Sequence, residues 1–454
     1  MMLDNGREST AVGFTDAKLS PHAGSATFWS FLRPSGFIEQ RKAALPHPAL
    51  TSNNHITPLD KALGFIQGLL CGAEKLTQVA YLRRDPVVPE ILGIKRVASQ
   101  SVRARCFGGF DTAGKNQRCF GALWEWCIAR LKPRTGGYSL DFDSTRLLHE
   151  DGHQEGVALG YTRVGVKPCL HPLLAVLEEA KLVAGFWLRP GNTACATNII
   201  GFTLEVLARL PSWLKVRVIR ADSGCCDNKW LALLESQNIP YIVVAKLHRP
   251  LKTIIIKDLK WSQTEVRGTS VAELRHQEAG WAKARRLVVI RHEVKEKKRP
   301  GGKVLLEVPG YLFQARVTNQ GAAHAPIALW RDYNKRAGCE CVIKALAAGF
   351  ALPKLILSKF WASEAALRLA VISYNLVVLF EQKLGWQDQR VTVGTLRYWL
   401  FVTAGVLGSH ARKKTLKFAL PKSQQAWWER LWAKLASPYP NCNAVGPAPP
   451  FACD

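Results

Sequence analysis

The chain has 454 residues, 48% of them hydrophobic, enough for a large core and more than one domain, and it carries 62 Lys and Arg against 35 Asp and Glu, a net charge of +27. So large a basic excess fits a polyanionic partner, either nucleic acid or an acidic membrane surface. The longest apolar run, Leu369 to Phe380, is broken by Ser373, Tyr374 and Asn375 and is too short to span a bilayer, and the polar start has no signal-peptide pattern, so membrane is the weaker option, nucleic acid leads, and the expected compartment is the cytoplasm, which the cysteine usage also favours.

Residues 1–12 read as disordered, and residues 13–130 as a helical DNA-binding region. Ser20-Pro21 is a plausible helix start, and residues 47–54 form a polar linker. Thr57-Pro58-Leu59-Asp60 opens a helix whose Leu63, Ile66, Leu69 and Leu70 share a face. Leu76 to Leu82 gives a second short helix, and Ser99 caps a third, basic one that carries Arg103 and Arg105. Three short helices ending in a basic one fit a helix-turn-helix module and fit an ordinary helical subdomain equally well. The twelve cysteines, with Cys225-Cys226 and Cys339-Glu340-Cys341 the only close groups, lack the paired spacing of a zinc site and suit a reduced protein.

Gly136-Gly137 then break the chain before Tyr138-Ser-Leu-Asp-Phe-Asp-Ser-Thr145, where Tyr138, Leu140 and Phe142 alternate with Ser139, Asp141 and Asp143. An Asp at the end of a core strand is costly unless it binds a metal or several donors, so Asp143 is a candidate metal ligand, with a turn cap as the plainer alternative. Gly156 to Arg163 and Ala180 to Leu188 read as the next two strands, and Thr193 to Leu210 as a helix. Lys215 to Arg220 is a β-branched strand running into Ala221-Asp222-Ser223-Gly224, which puts a second Asp at a strand exit. A helix over Asp227 to Gln237 and a strand over Ile239 to Lys246 follow.

From residue 251 to 325 the texture is basic, with strand-like runs at Thr253 to Ile256, Leu287 to Arg291, Val304 to Val308 and Tyr311 to Val317 around the turn Arg299-Pro-Gly-Gly302. A helix over Leu329 to Ala347 places Tyr333, Arg336 and Glu340 on one face, and Ala365 to Phe380 is an apolar helix. Residues 386–437 form a basic helical region with Arg412, Lys413 and Lys414 and the Trp-rich run Trp427, Trp428 and Trp432, before a loose tail over residues 438–454. That run suits stacking on DNA or an amphipathic helix face.

This order of elements is that of an α/β, RNase H-like mixed sheet flanked by helices, with a β-rich insertion dividing the core into residues 136–250 and 326–385. In that fold the first and fourth strands are neighbours, so Asp143 and Asp222 come together and the late helix brings Glu340 over them. Three clustered carboxylates repel unless cations neutralise them, and hard Mg²⁺ ions, two per site, suit an all-oxygen set.

Five stretches make the chain resemble a DDE transposase of bacterial insertion sequences, in the branch with a β-rich insertion. They are Asp141-Phe-Asp-Ser-Thr145, His153-Gln-Glu-Gly156 with Gly160-Tyr161, Leu188-Arg-Pro-Gly-Asn192, Arg220-Ala-Asp-Ser-Gly224, and Asp332-Tyr-Asn-Lys-Arg336 leading to Glu340. The resemblance covers roughly residues 13–415 and is nearest to the insertion-sequence family numbered thirteen-eighty. It implies a metal-binding triad of Asp143, Asp222 and Glu340, with Mn²⁺ able to replace Mg²⁺, and phosphate contacts from Tyr333 and Arg336. The signature continues to a Lys seven residues after the Glu, where this chain has Ala347; Lys344 is the nearest substitute. The resemblance also implies an aromatic residue in the insertion that stacks a flipped base, for which Trp281 and Trp261 are the candidates, with insertion core as the plainer role. The implied function is a transposase that cuts at the ends of its element and joins the 3′-hydroxyl to target duplex DNA, as a homodimer in the paired-end complex, without a membrane, and associated with the nucleoid when bound. The rivals are a nuclease of the same fold that does not join, and a non-catalytic DNA-binding relic.

Overall fold

The computed structural model describes residues 2–4, 9–45, 54–150, 152–162, 164–294, 308, 310–386, 391–411 and 413–436. The chain divides into two compact units, one of residues 110–379 and one assembled from residues 1–109 and 380–454.

The first of these is built on a nine-stranded sheet. Its strands are β1 (Tyr138–Ser144), β2 (Leu173–Leu177), β3 (Leu182–Trp187), β4 (Val216–Ala221), β5 (Tyr241–Val244), β6 (Ser262–Gln263), β7 (Thr269–His276), β8 (Arg285–Glu293) and β9 (Tyr311–Thr318). Its helices are α1 (Ala113–Ile128), α2 (Ile199–Ala208), α3 (Asn228–Ser236), α4 (Arg249–Lys257), α5 (Pro326–Asn334), α6 (Ala337–Gly349) and all but the last residues of α7 (Phe360–Leu384). The spatial strand order is β6-β7-β8-β9-β5-β4-β1-β2-β3. Strands β1, β4 and β5 run parallel, while β2 and β3 form an antiparallel meander with β1. The order β3-β2-β1-β4-β5 with β2 reversed is the RNase H-like sheet, so the expected fold class holds.

Two expectations for this unit change. The second core strand is not Gly156 to Arg163: Ala158–Thr162 belongs to a separate three-stranded sheet with Leu147–Leu148 and Gly165–Leu170. The core position is filled by β2, whose Leu-Leu-Ala-Val-Leu is buried at every residue and so shows no alternation to read. The strands of the insertion join the core sheet: β9 pairs with β5, and β6 to β8 extend the same sheet. The insertion's first segment, Thr253 to Ile256, is part of a helix, because Pro250 starts α4 and Leu251 and Ile255, one turn apart, are its buried face. The turn Arg299 to Gly302 and all of Val304 to Val308 except Val308 lie outside the described residues.

The apolar run near residue 370 lies within α7, a 25-residue helix long and apolar enough to cross a membrane. Its most apolar window is wholly buried within the protein, which marks a core helix. The polar residues that break the run have work inside the fold. Asn375 bonds both backbone groups of Val183 on β3, accepting its N–H at 2.9 Å and donating to its carbonyl at 2.8 Å, and Tyr374 donates to the Lys181 carbonyl at 2.8 Å. The side-chain amide thereby covers part of the sheet edge.

In the other unit, helices span Ala26–Leu32, Phe37–Ala44, Pro58–Leu70, Leu76–Tyr81, Val88–Leu92 and Gln100–Gly108. Thr57 and Ser99 cap two of them as expected, accepting from the backbone N–H of Asp60 and Val102. Residues 1–12 are not wholly disordered: Met2–Asp4 pairs with Ser9–Ala11. The basic C-terminal region is not all helix either. Val393–Leu396, Arg397–Phe401 and Lys422–Ala436 are helical, but between them Gly405–His410 and Lys413–Phe418 form a hairpin joined by Leu19–Ser20, and Trp427 and Trp428 are buried rather than displayed.

Candidate active site

The period of two along β1 sends Ser139, Asp141 and Asp143 to one face and Leu140 and Phe142 to the other. Phe142 packs edge-on against Phe202 of α2 and Trp230 of α3, both at 5.6 Å between centroids, which fixes the strand's rotation. On β4, Arg220 stands opposite Asp141 and Ala221 opposite Phe142. Asp222 therefore leaves the sheet next to Asp143. It caps the turn Ser223–Cys225, with its Oδ1 accepting the Cys225 N–H at 3.3 Å.

Helix α5 ends at Asn334 and α6 begins at Ala337, so the expected single helix over Leu329 to Ala347 is two helices meeting at a corner. Tyr333 lies in the last turn of α5, Arg336 at the corner and Glu340 in the first turn of α6, rather than on one continuous face. The break coincides with the pull of Arg336 on β1. Its Nη2 donates to the Phe142 carbonyl at 3.1 Å and pairs with Asp143 Oδ1 at 2.9 Å. Asp143 also accepts the Ser144 N–H at 2.8 Å.

Asp143 is buried, and its carboxyl is pushed up to about 6. Burial is the main cause; the Arg336 charge opposes it, and repulsion from Asp222 and Glu340 adds to it. Burial works against the charge on Arg336, yet Asp143 and Asp222 hold its pKa above the ordinary value. Burial likewise raises the Tyr333 phenol, whose ring lies 4.3 Å beneath the Arg316 guanidinium.

The candidate set Asp143, Asp222 and Glu340 is all carboxylate, the chemistry that suits Mg²⁺ or Mn²⁺, and repulsion from Asp222 and Glu340 adds to the burial that raises the Asp143 carboxyl. Two of the three stand on adjacent strands, while Glu340 is exposed on α6. Among the described residues no group of three or more His, Cys, Asp or Glu side chains stands close enough to hold one ion. At Asp143 the compensating positive charge comes from Arg336.

The other candidates divide. Lys344 and Ala347 are both exposed on α6. Trp261 is half-buried, with the Arg291 guanidinium 4.4 Å from its ring and Phe313 edge-on at 5.8 Å. Trp281 is half-buried beneath Arg285 at 4.7 Å. Arg105 is exposed, but Arg103 is only 1% exposed and so is not on a surface open to a duplex. Lys413 and Lys414 are exposed on the hairpin, Lys414 paired with Glu90 at 2.7 Å, and Arg412 lies outside the described residues.

Two more of the motif stretches meet beside the site. The Gly191 N–H donates to the Gly156 carbonyl at 3.2 Å, and a Cβ on Gly191 would stand 2.0 Å from the Cys169 carbonyl oxygen, so only glycine fits there. Arg189 orders the following loop by donating to the carbonyls of Ala194, Cys195 and Thr197. Sequence reasoning passed over Asp141, Arg220 and Asp332, which form a buried ionic cluster under the corner. The signal was present: Asp141 and Arg220 each precede a candidate acid by two residues, hence share its face of the strand.

A family profile described as "Transposase DDE domain group 1" matches residues 5–438. Among solved structures, a piggyBac transposase synaptic complex with hairpin DNA is similar over 85% of this chain and 81% of that chain, with a TM-score of 0.45 and 9% identity. A search of curated proteins finds no match.

Proposed function

The chain belongs to the transposase DDE domain family, and from that premise we propose that it binds the ends of its own insertion sequence, cuts the DNA there and joins the freed 3′-hydroxyl to target DNA. We place it with the bacterial insertion sequences of the family numbered thirteen-eighty, acting in the cytoplasm on nucleoid DNA, with two copies in the paired-end complex. The observation that carries the reading is the pair Asp143 and Asp222 at the open ends of adjacent parallel strands, with Glu340 one turn beyond the arginine that grips Asp143.

Asp143, Asp222 and Glu340 would hold two Mg²⁺ or Mn²⁺ ions, whose chemistry when bound is to activate a water or a 3′-hydroxyl and to steady the leaving oxygen. The rest falls to the chain itself. Tyr333 and Arg336 sit at the corner above the strand ends, where a phenol and a guanidinium can take phosphate oxygens beside the cleavage point. Arg336 can exchange its bond to Asp143 for one to phosphate as the substrate arrives. Trp261 or Trp281 offers an indole for a base flipped out of the duplex, and Lys344, Lys413 and Lys414 offer exposed cations to the backbone.

One observation favours a second reading, a non-catalytic DNA-binding relic: Asp143 is already neutralised by Arg336, and the three acids are not gathered at ion-holding distance. An end-joining assay in Mg²⁺ on the full chain separates the readings. Cut and joined ends support the transposase, cutting without joining supports a nuclease of the same fold, and binding alone supports the relic.

A further inference from the structure

Each of three motif stretches contributes, besides its candidate site residue, one charged residue that the chemistry does not use. These are Asp141 from β1, Arg220 from β4 and Asp332 from the last turn of α5. They meet in one place. Arg220 is 0% exposed and spends every nitrogen of its fork: Nε and Nη2 on the two oxygens of Asp141 at 2.6 and 2.9 Å, and Nη1 on the Asp332 carbonyl at 2.5 Å. Asp332 is gripped a second time by Arg217, whose Nη1 and Nη2 reach its carboxylate at 2.7 and 2.8 Å. Arg217 also donates to Ser139 Oγ at 2.5 Å.

The position of this network matters more than its strength. Asp141 is two residues before Asp143 on the same strand face, and Arg220 bears the same relation to Asp222. Asp332 lies in the turn that leads to Tyr333, Arg336 and Glu340. The Asp332 carbonyl belongs to the last turn of α5, where it accepts the Lys335 N–H at 3.2 Å and where the helix dipole favours a cation such as Arg220. One guanidinium thus ties together the strand bearing the first acid, the strand bearing the second and the helix corner that launches the third. Only a planar fork can make these bonds at once; a lysine ammonium keeps the charge and loses the geometry. A corner free to drift by an ångström would carry Glu340 with it, and displacements of that size are costly in a site that depends on placement.

We propose that Asp141, Arg220 and Asp332 are positioning residues that fix the two strand ends and the helix corner from which Asp143, Asp222 and Glu340 would close on the divalent ions. The proposal rests on the reading of those three acids as an ion site, and its test keeps the two apart. Mn²⁺ binding to the metal-free full chain is measured by calorimetry for the parent, Asp222→Asn, Arg220→Lys and Asp332→Asn, alongside melting temperature and end-DNA binding. Binding by the parent that Asp222→Asn abolishes upholds the ion site, and its absence in the parent overturns that reading itself. With the site upheld, Arg220→Lys and Asp332→Asn bind Mn²⁺ about 10-fold to 100-fold more weakly, as for other groups that orient ligands. They still bind end DNA, and raised Mn²⁺ restores cutting. Asp332→Asn keeps its shape at a position 16% exposed and weakens the Arg217 grip on the corner while leaving the carbonyl bond to Arg220, so it tests that half of the network if Arg220→Lys does not fold. Mn²⁺ affinity equal to the parent's in a folded variant, even one that melts earlier, reduces the network to plain structure and overturns the proposal.

Discussion

At the scale of single residues, the two strand-end aspartates have different surroundings, and this separates their expected behaviour. Asp143 is buried, paired with Arg336 and repelled by two acids, whereas Asp222 caps a turn. If both serve the same chemistry, Asp143→Asn, Asp222→Asn and Glu340→Gln each lower the cleavage rate by about 10²–10³-fold or more, a loss typical of removing one preorganised charge. End-DNA binding is kept or strengthened, because a negative charge near phosphate is gone. Full cleavage by any one of the three removes that residue from the site. Asp143 also makes a pH prediction. Its carboxyl lies at about 6 against an ordinary 3.8, so the native state holds this proton more tightly than the unfolded chain does. The stability linked to it is complete below about 3.8 and is lost as pH rises through about 6, a change on the order of 3 kcal/mol in metal-free protein. Urea unfolding of the parent and of Asp143→Asn between pH 3.5 and 7 reads it (a range of about one unit beyond the transition on the alkaline side). The parent should lose stability relative to the variant as pH rises, and parallel curves would refute the assignment.

Among the elements, α7 shows how a polar interruption in an apolar run can be a joint rather than a flaw. Asn375 takes up both backbone groups of Val183, and Trp124 adds a second bond to the same carbonyl at 2.9 Å. Asn375→Ala leaves the Val183 N–H without that acceptor in a dry interior, at a cost of about 1–3 kcal/mol. Denaturant midpoints measure this, and a change within error would mean that the sheet edge relaxes around the loss. The corner between α5 and α6 follows the same logic. A helix that ran on through Arg336 would satisfy its own backbone, but the buried carboxylate of Asp143 needs a partner, and the corner lets the guanidinium reach it.

For the whole molecule, the net charge of +27 governs the encounter with DNA. Phosphate contacts release counterions, so log affinity should fall linearly with log salt; six to ten such contacts imply roughly 10³–10⁵-fold between 50 and 200 mM. Fluorescence anisotropy on an end-sequence duplex gives the slope. A flat dependence over that range would exclude a binding mode led by the basic surface.

The sequence alone determined whatever depends on local periodicity and on residue chemistry at a strand end. The alternation of Tyr138 to Asp143, the β-branched run into Asp222, the caps at Thr57 and Ser99 and the basic excess were all legible, because each acts within a few residues or over the whole chain. Only the tertiary structure decided the rest. The strand β2 is buried at every residue, and a run without alternation carries no period, so the sequence pointed to Gly156 to Arg163 for the core position that β2 fills. The insertion extends the core sheet because β5 had an edge to offer, a property of the folded sheet and not of the inserted segment. Arg103 on a basic helix turned inward, since composition does not say which face of a short helix is covered. The union of Asp141, Arg220 and Asp332 spans up to 191 positions of sequence and exists only where two strands and a helix end converge, which no local pattern can encode.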